Sequence, residues 1–362
     1  MNIVIMAEYV RKSGVGVYVD SLCSELKKTN NVFLIAGEYV FDANEDIFVK
    51  HNISKAGIVS LIKNVFAMRK FFKANNIDIV QMNHRRCAFL MKVYNTIFWF
   101  SKMKCCWILH TQKIRYSLPY RMITYTGNKV IAISSEVKNF LIEKLRVKDS
   151  KIQLILNGID NSNLTPLTET EKQEIKNKYG IEKDKIVICL HGRLDKVKGL
   201  DVLINGVNLL PKEYKDKLVV VCSGDTDCEY YNYLVDLINS YKLEKNFVFT
   251  GWTKSRDIFG ISDLYIAPSR REGFSLSVVE SFFMKVPCVR TKTGGYLDTK
   301  DCSDVIEIDI PEDITKKLIA FVDNPSIYDD MVEKAYNFAI ENCTTKIMAE
   351  KTLQLFESIK GC

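Results

Sequence analysis

Short, continuous runs of apolar residues recur along the chain, separated by longer stretches in which apolar residues return every three or four positions. The continuous runs lie at 2–6, 32–36, 78–82, 105–110, 129–134, 185–192, 217–224, 246–251, 263–269 and 287–291. Stretches such as 17–28 and 60–75 have helical periodicity. Runs without polar alternation indicate parallel strands buried on both faces of a sheet. Because strands and helices alternate in both halves, the pattern predicts an α/β fold of two doubly wound, Rossmann-like domains facing across a cleft.

The boundary between the two halves is predicted within NGIDNSNLTPLTETEK (157–172), where polar and turn-forming residues cluster before a new helical pattern. A chain of 362 residues also exceeds the usual size of one hydrophobic core. We expect an N-terminal domain at 1–163 and a C-terminal domain at 164–344. A last helix, at about 345–362, is expected to pack back on the first domain.

Composition and the lengths of the apolar runs narrow the class of protein. With 47% hydrophobic and 26% charged residues, the chain has the composition of a globular protein. Its 11 cysteines form no C-x-x-C pair, which favours reduced thiols over a disulfide framework or a zinc site. The first ten residues predict a buried strand rather than a signal peptide, and the apolar stretch 87–100 is too short to span a bilayer. We therefore expect a cytoplasmic protein.

Two glutamates flank the segment GFSLSVV, one in the loop after the strand at 263–269 and one in the helix that follows. We expect Glu272 in the strand-to-helix loop and Glu280 about two turns into the helix. If the intervening residues were all helical, about 12 Å would separate the two backbones. Glycosidase carboxyl pairs lie roughly 5–9.5 Å apart, so this spacing favours binding of the two ends of one elongated ligand. Backbone N–H groups between the glutamates would bind an anion. Hydroxyl-binding carboxylates at both ends and an anion site between them together predict a nucleotide sugar as the ligand. The alternative is one capping and one surface glutamate.

A basic loop follows the strand at 185–192. Arg193 and Lys198 lie between that strand and the helical segment GLDVLINGVNLL. A guanidinium can bind two phosphate oxygens and a lysine adds a movable charge, so the pair can neutralise a diphosphate. A solvated surface loop is the alternative, and the nearby glutamate motif makes the diphosphate site the favoured interpretation.

With these motifs the sequence resembles the retaining nucleotide-sugar glycosyltransferases of the GT-B fold, family 4. The similar stretches are NGID (157–160), GRLDKVKG (192–199), FTGWT (249–253), PSRREGFSLSVVES (268–281), VPCV (286–289) and TGG (293–295). Their order and spacing also match, over nearly all of the second half and more weakly over the first. The chain departs from the family pattern at Met284 and Lys285, where Ala-Gly is common, and in its short first loop, SGVG.

The resemblance implies a role for each matching position. The implied catalytic residues are His110, Arg193, Lys198 and Glu272, and the implied donor-binding residues are Gly14, Gly16, Arg193, Lys198, Trp252, Glu272, Gly273, Phe274, Ser275, Leu276 and Glu280. By the resemblance, Arg193 and Lys198 would bind the diphosphate, Glu272 the transferred sugar and Glu280 the ribose. The amides of 273–276 would approach the sugar and phosphate. The backbone of Trp252 would lie near the base, and His110 would lie beside the reacting sugar. The alternatives are a packed tryptophan, a structural histidine and a plain tight turn at Gly14 and Gly16.

The activity that the resemblance implies is transfer of a sugar, with retention of configuration, from a nucleotide sugar to an acceptor hydroxyl. The donor would be a UDP-sugar by frequency in the family, with GDP-sugars second. The acceptor would be a lipid-linked or surface-polysaccharide intermediate of bacterial capsule or lipopolysaccharide biosynthesis. No cofactor and no essential metal are expected, because the DTD at 225–227 is interpreted as a turn at a helix start.

Other classes of protein stay open or fit less well. A nicotinamide dehydrogenase requires G-x-G-x-x-G, and SGVGVYVD lacks the third glycine. A nucleotide-sugar 2-epimerase of the same architecture and a non-catalytic nucleotide- or sugar-binding protein are the two alternatives. No nucleic-acid partner is expected, since no recognition motif accompanies the basic first half.

Charge is unevenly distributed along the chain, whose net charge is +7. Residues 1–166 hold 24 Lys and Arg against 12 Asp and Glu, whereas residues 167–362 hold 27 against 32. The stretch 47–135 contains 15 cations, Lys55 among them, one acid, Asp78, and many interspersed aromatic residues. One interpretation is a solvated basic face over a buried helix. The other is a protein peripheral at the inner face of the plasma membrane, with an anionic membrane surface as partner.

Overall fold

The chain forms two compact units in the computed structural model, which describes residues 1–53 and 57–361. Unit 1 comprises Met1–Ile159 and the residues from Asn342 onward, and unit 2 comprises Asp160–Glu341. These divisions fall a few residues before the predicted ones. Lys55 and Cys362, which belong to the predicted basic stretch and last helix, lie outside the described residues.

Unit 1 is built on a seven-stranded sheet in which every strand pairing among the described residues is parallel. Its strands are β1 (Asn2–Met6), β2 (Asn31–Ala36), β3 (Phe48–Lys50), β4 (Ile79–Met82), β5 (Lys104–Leu109), β6 (Lys129–Ala132) and β7 (Ile152–Leu154). They lie in the order β3-β2-β1-β4-β5-β6-β7. The chain leaves β1 toward one edge of the sheet and β4 toward the other, so the topological switch point lies between β1 and β4.

Helices cover both faces of this sheet. The first helices of unit 1 are α1 (Gly14–Leu26), α2 (Ile58–Ala74), α3 (Arg85–Ile97), α4 (Leu118–Ile123) and α5 (Ser135–Glu143). Right-handed crossovers put α2, α3, α4 and α5 on one face and α1 on the other. Because both faces are covered, Ile3, Val4, Ile5 and Met6 are all fully buried, which accounts for the unbroken apolar run of β1.

Unit 2 repeats the architecture with a six-stranded parallel sheet, in the order β10-β9-β8-β11-β12-β13. Its strands are β8 (Ile186–His191), β9 (Leu218–Ser223), β10 (Phe247–Gly251), β11 (Leu264–Ala267), β12 (Cys288–Thr291) and β13 (Asp304–Ile306). Its helices are α6 (Glu169–Lys178), α7 (Leu200–Asn208), α8 (Lys212–Lys215), α9 (Glu229–Ser240), α10 (Ser255–Gly260), α11 (Leu276–Phe283), α12 (Pro311–Asp323) and α13 (Asp329–Asn342). Here the switch point lies between β8 and β11.

The helix α14 (Thr345–Lys360) belongs to unit 1 although it follows unit 2 in the sequence. It packs on α1, and its side chains Met348 and Phe356 are fully buried. Just before α14, the backbone N–H of Ile159 donates to the carbonyl of Cys343 at 2.8 Å. Unit 1 is therefore assembled from two separate segments of the chain.

The predicted α/β class, with two doubly wound parallel sheets, is confirmed. Each of the ten predicted strands corresponds to a strand of the structure. The strands β3, β7 and β13 were not predicted, because each has three residues, lies at a sheet edge and is largely half-exposed, so it lacks an apolar run. Within residues 1–53 and 57–361, the structure contains no helix with the length and apolar character needed to cross a membrane.

Candidate functional site

The loops that follow β8 and β11 form a crevice at the switch point of unit 2. These two strands are direct neighbours, but the chain leaves β8 toward β9 and β11 toward β12, so the loops diverge. The first loop carries Arg193 and Lys198, and the second carries Glu272 and leads into α11. The basic loop and the glutamate loop predicted from the sequence therefore lie side by side.

Lys198 and Glu272 form an ion pair between the two loops. Lys198 Nζ lies 2.8 Å from Glu272 Oε1, which also accepts a hydrogen bond from Ser269 Oγ at 2.9 Å. Both charged side chains are largely buried. Burial alone would raise the pKa of Glu272, but the Lys198 ammonium and the hydrogen bonds outweigh it and leave that pKa lowered. The Glu272 carboxylate thus stays ionised beside Lys198.

Arg270 ties the same two loops together. Its guanidinium binds both carboxylate oxygens of Asp201, at 2.9 and 2.8 Å, and one of Asp309 at 2.6 Å. Its backbone N–H donates to the carbonyl of Val197 at 2.8 Å. A bidentate arginine–carboxylate pair fixes the relative orientation of the two side chains as well as stabilising their contact. Neither Arg270 nor Asp201 was predicted as part of the site; the usable signal was an acid in the first turn of the helix after the basic loop.

Gly199 keeps the two loops in close contact. Its φ of +74° is a left-handed conformation that glycine adopts without strain. A Cβ at this position would lie 2.1 Å from the carbonyl oxygen of Pro268. A larger residue would therefore force the basic loop away from the glutamate loop.

Glu280, which is partly exposed, lies beside the buried His191 and near Ser255. His191 Nε2 lies 3.9 Å from a Glu280 carboxylate oxygen and 3.2 Å from Ser255 Oγ. The Ser255 hydroxyl also bonds the Glu280 carboxylate, so it donates to Glu280 and accepts from the imidazole. Burial raises the pKa of Glu280, and burial together with the Lys198 charge lowers the pKa of His191 to about 4. His191 and Ser255 were not predicted; the signal was a histidine ending an otherwise apolar strand.

The predicted depth of Glu280 in its helix is wrong. Because α11 begins at Leu276, Glu280 is its fifth residue, about one turn and not two turns from the start. The residues before Leu276 stay in an irregular loop, held by Arg270 and Gly199 as described above. The separation of about 12 Å assumed a continuous helix and does not apply.

The start of α11 presents its backbone rather than its side chains. Ser275 precedes the helix but its hydroxyl makes no capping bond; it lies 3.2 Å from the Ser277 hydroxyl instead. The side chains of Phe274 and Ser275 are buried. What the segment from Phe274 to Leu276 offers a ligand is therefore main-chain N–H groups, and an uncapped helix start of this kind suits an anion.

Arg193 and Trp252 are the more exposed members of the predicted set. Arg193 Nη2 lies 3.0 Å from a carboxylate oxygen of Asp195 in its own loop. Trp252 directly follows β10 and its side chain is 57% exposed, so core packing does not account for it. Trp252 also lies three residues before Ser255, and one short loop thus leads from the tryptophan to the residues around Glu280.

His110 lies at the end of β5 in unit 1, beside Asn83, which follows β4. Its Nε2 is 3.1 Å from Asn83 Oδ1, and Asn83 Nδ2 donates to the carbonyl of Met6 at 3.3 Å. The amide oxygen of Asn83 therefore accepts from His110, which assigns the imidazole proton to Nε2. Burial, with a smaller effect of His84, lowers the pKa of His110 to about 3, so the ring is uncharged at neutral pH.

Gly14 and Gly16 differ in what surrounds them. A Cβ on Gly16 would lie 1.8 Å from the carbonyl oxygen of Arg11, so the turn into α1 requires glycine there. The backbone N–H of Gly16 also donates to Ser13 Oγ, which caps the helix. A Cβ on Gly14 would meet no atom within 4 Å, so Gly14 leaves open space at the helix start.

Glu8 and His84, which were not predicted, meet at the switch point of unit 1. Glu8 follows β1 and His84 follows β4, and the backbone N–H of Glu8 donates to His84 Nδ1 at 3.1 Å. Arg86 lies 3.3 Å from the Glu8 carboxylate. Burial lowers the pKa of His84 against the opposing effect of Glu8. The available signal was an ionisable residue, Glu8 or His84, two residues after each of two buried strands.

The DTD segment forms a turn before α9, as predicted. The backbone N–H of Asp227 donates to Asp225 Oδ1 at 3.0 Å, and α9 begins two residues later at Glu229. Asp225 thus uses a carboxylate oxygen within the turn.

Two family models match the chain. Residues 12–163 match the model of Glycosyltransferase Family 4, and residues 171–338 match the model of Glycosyl transferases group 1. The first match lies in unit 1 almost entirely and the second lies within unit 2.

Individual relatives are similar over most of the chain. An uncharacterized glycosyltransferase of Methanocaldococcus jannaschii is 26% identical over 96% of this chain and 95% of its own length. The UDP-Gal:alpha-D-GlcNAc-diphosphoundecaprenol alpha-1,3-galactosyltransferase of Escherichia coli is 23% identical over 86% of this chain and 81% of its own. Among solved structures, Anabaena HepE in complex with UDP and glucose has a TM-score of 0.84 at 15% identity, covering 99% of this chain and 100% of that chain. Similarity of sequence and of fold therefore extends over both units.

Proposed function

The chain belongs to the family 4 glycosyltransferases of the GT-B fold, and from this premise we propose that it transfers a sugar from a nucleoside diphosphate donor to an acceptor hydroxyl with retention of anomeric configuration. A UDP-sugar is the proposed donor and a lipid-linked or surface-polysaccharide glycan is the proposed acceptor. The UDP complex of Anabaena HepE and the name of the Escherichia coli relative support these two choices.

The observation that carries the proposal is the buried pair of Lys198 and Glu272, whose charged atoms lie 2.8 Å apart at the switch point of unit 2. When a nucleotide sugar binds, the ammonium would contact the diphosphate and the carboxylate would accept hydrogen bonds from the sugar hydroxyls. The contacts of Arg270 hold both loops in place before the ligand arrives. Because the loops are already ordered, ligand binding loses less conformational entropy.

The chemistry requires stabilisation of charge on the departing diphosphate. As the bond between the anomeric carbon and the diphosphate oxygen breaks, Arg193, Lys198 and the N–H groups at the start of α11 would stabilise the negative charge. The acceptor oxygen forms the new bond on the same face of the sugar, and its proton passes to the departing phosphate. The proposal includes neither a protein nucleophile nor a metal ion.

The other predicted residues have proposed binding roles. The Glu280 carboxylate would accept bonds from the ribose hydroxyls, with Ser255 and His191 orienting it from one side. The exposed ring of Trp252 would stack near the base. In unit 1, the neutral His110 would contact the reacting sugar, and the open space at Gly14 would admit a ligand to the start of α1.

Separate effects on nucleotide binding and on transfer test these assignments. We expect Glu280→Ala to weaken binding of free UDP by about 1.5–3 kcal/mol, or roughly 10- to 150-fold, because it removes a charged hydrogen-bond acceptor. We expect Glu272→Ala and His110→Ala to leave UDP binding nearly unchanged and to reduce sugar transfer. Calorimetric titration with UDP and a transfer assay give the two readouts, and equal loss of UDP affinity for both glutamate variants would refute the roles.

Identification of the donor comes first. A thermal-shift screen of nucleoside diphosphates and nucleotide sugars selects the best ligand, and nuclear magnetic resonance of the product then gives its anomeric configuration. Retained configuration, with activity unaffected by a chelator, supports the proposal. An inverted product or activity restored only by a divalent metal would contradict it, release of an epimerised free sugar would indicate the epimerase, and binding without turnover would indicate a non-catalytic protein.

A further inference from the structure

The outer face of α2 in unit 1 carries apolar side chains that no part of the described chain covers. Ile58, Val59, Ile62 and Phe66 are exposed, Ile58 to 76% and Phe66 to 56%. Residues 58, 62 and 66 are four apart, so they lie above one another on one side of the helix. The inner side of the same helix buries Val65, among others, against unit 1.

This stripe continues onto the short helical turn Trp99–Ser101. The ring of Phe66 packs edge-on against Phe98, with centroids 5.7 Å apart, and Phe98 is followed by the exposed Trp99 and Phe100. Trp99 is 72% exposed. We call the six exposed residues Ile58, Val59, Ile62, Phe66, Trp99 and Phe100 the apolar ridge.

Arg69 joins the two parts of the apolar ridge. Its guanidinium lies 4.0 Å from the ring centre of Phe98 and 5.4 Å from that of Phe100, and it donates to Ser101 Oγ at 2.9 Å. The turn is therefore fastened to α2 through a cation and aromatic rings. These contacts join the two parts of the apolar ridge.

Cations border the apolar ridge and acids are absent from its helix. Lys63, Lys70 and Lys73 of α2 are exposed, as is Lys102 directly after the turn, and α2 contains no Asp or Glu. With 3.6 residues per turn, the three lysines of α2 share the exposed arc with the apolar side chains. A contiguous apolar patch of this kind marks an interaction site rather than ordinary surface.

We propose that the apolar ridge docks on an anionic lipid bilayer, with the lysines on the headgroups and the aromatic and aliphatic side chains in the interface. The charge pattern favours lipid over a second copy of this chain, because a symmetric dimer through this face would bring the lysines of both copies together. Anionic headgroups neutralise the same lysines, while the interface accepts tryptophan, phenylalanine and isoleucine. The inference goes beyond the proposed function and does not depend on the donor or on the transfer step.

Sedimentation of the full chain with vesicles tests the electrostatic part. We expect binding to vesicles of equal phosphatidylglycerol and phosphatidylcholine, weakening with added salt, and little binding to phosphatidylcholine alone. Reversal of the three lysines (K63E/K70E/K73E) should reduce binding by at least about 100-fold. The control K144E/K148E/K245E makes the same change in net charge at exposed lysines elsewhere and should bind nearly as well as the wild type. Equal loss in the control would overturn the proposal, as would equal binding to neutral vesicles.

A second pair of variants tests the apolar part. I58Q/W99Q changes two strongly exposed side chains, so the protein should still fold while its vesicle binding falls at least tenfold. The control L209Q/I327Q changes two exposed apolar residues of unit 2 and should leave vesicle binding unchanged. Lipids brominated in the acyl chain should quench Trp99 fluorescence, and W99F should bind but lose that quenching. Absence of quenching, or a dimer that I58Q/W99Q abolishes without any vesicle binding, would assign the ridge to another occupant. UDP binding by each variant, measured separately, distinguishes this result from failure of the proposed function.

Discussion

The ion pair of Lys198 and Glu272 couples stability to function at the scale of single residues. Each charge is largely buried, so removal of either partner leaves the other without compensation. We expect Lys198→Met to destabilise unit 2 by about 3 kcal/mol. Because K198M/E272Q removes both charges, it should recover most of that loss. Hydrogen exchange of peptides from β8 and β11 measures the effect, and simple additivity of K198M and E272Q would show that the two groups do not interact.

Two histidines, the buried His191 and the partly buried His110, predict how the free energy of unfolding depends on pH. Their pKa values are lowered from 6.5 to about 3 and about 4, mainly by burial, so the unfolded chain binds protons that the folded chain excludes. The stability that the two neutral histidines contribute to the folded protein is fully present above pH 6.5 and is lost as the pH falls toward 4. Each should add a slope of up to about 1.4 kcal/mol per pH unit to the free energy of unfolding.

Replacement of one histidine isolates this effect. The variant His191→Gln should show a shallower fall in the free energy of unfolding between pH 6.5 and 5 than the wild type, as measured by denaturant titration at each pH. Nuclear magnetic resonance of the imidazole protons gives an independent check. A His191 ring that titrates near pH 6.5 in the folded protein would contradict the prediction.

At the scale of elements, Arg270 makes two loops act as one. We expect Arg270→Lys to weaken UDP binding about tenfold and to speed hydrogen exchange in the loop at 192–199, because lysine cannot reproduce the two-pronged bond to Asp201. Arg256→Lys is the matched control, since Arg256 makes a similar bond to both carboxylate oxygens of Glu171 on α6 and contacts neither of these two loops through that bond. If both variants bind UDP as tightly as the wild type does, the bond between Arg270 and Asp201 is not required for UDP binding.

Elements with a strong local signal could be predicted from the sequence, and those fixed by distant contacts could not. The continuous apolar runs identified the central strands because both sheet faces are covered. The depth of Glu280 in α11 was predicted wrongly because apolar periodicity locates a helix but does not fix its first residue, and α11 begins only four residues before Glu280. In the same way the sequence identified Lys198 and Glu272 by motif, whereas the partnership of His191 with Ser255 spans 64 residues and left no pattern.

At the scale of the whole molecule, the packing of α14 on unit 1 predicts that unit 1, and not unit 2, requires residues 345–360 for its stability. A chain ending at residue 341 lacks the buried side chains Met348 and Phe356 and exposes the face of α1 that they cover. The helix buries four large apolar side chains, Met348, Leu355, Phe356 and Ile359. At about 1.5–3 kcal/mol each, their loss amounts to about 6–12 kcal/mol, which is comparable with the whole stability of a typical domain. Calorimetry should then show one unfolding transition in place of two, with increased binding of a hydrophobic dye. A truncated chain that keeps both transitions would contradict this.

The two-segment construction of unit 1 also sets an order of events at the ribosome. Its first segment emerges early but has no partner for the face of α1 until residues beyond Asn342 have been translated, and all of unit 2 is made in between. Unit 2 is continuous and can fold as it emerges. The nascent N-terminal segment therefore stays incompletely folded while unit 2 is translated, and we expect a chaperone to bind it. Protease treatment of arrested nascent chains should cleave this segment after unit 2 has become resistant.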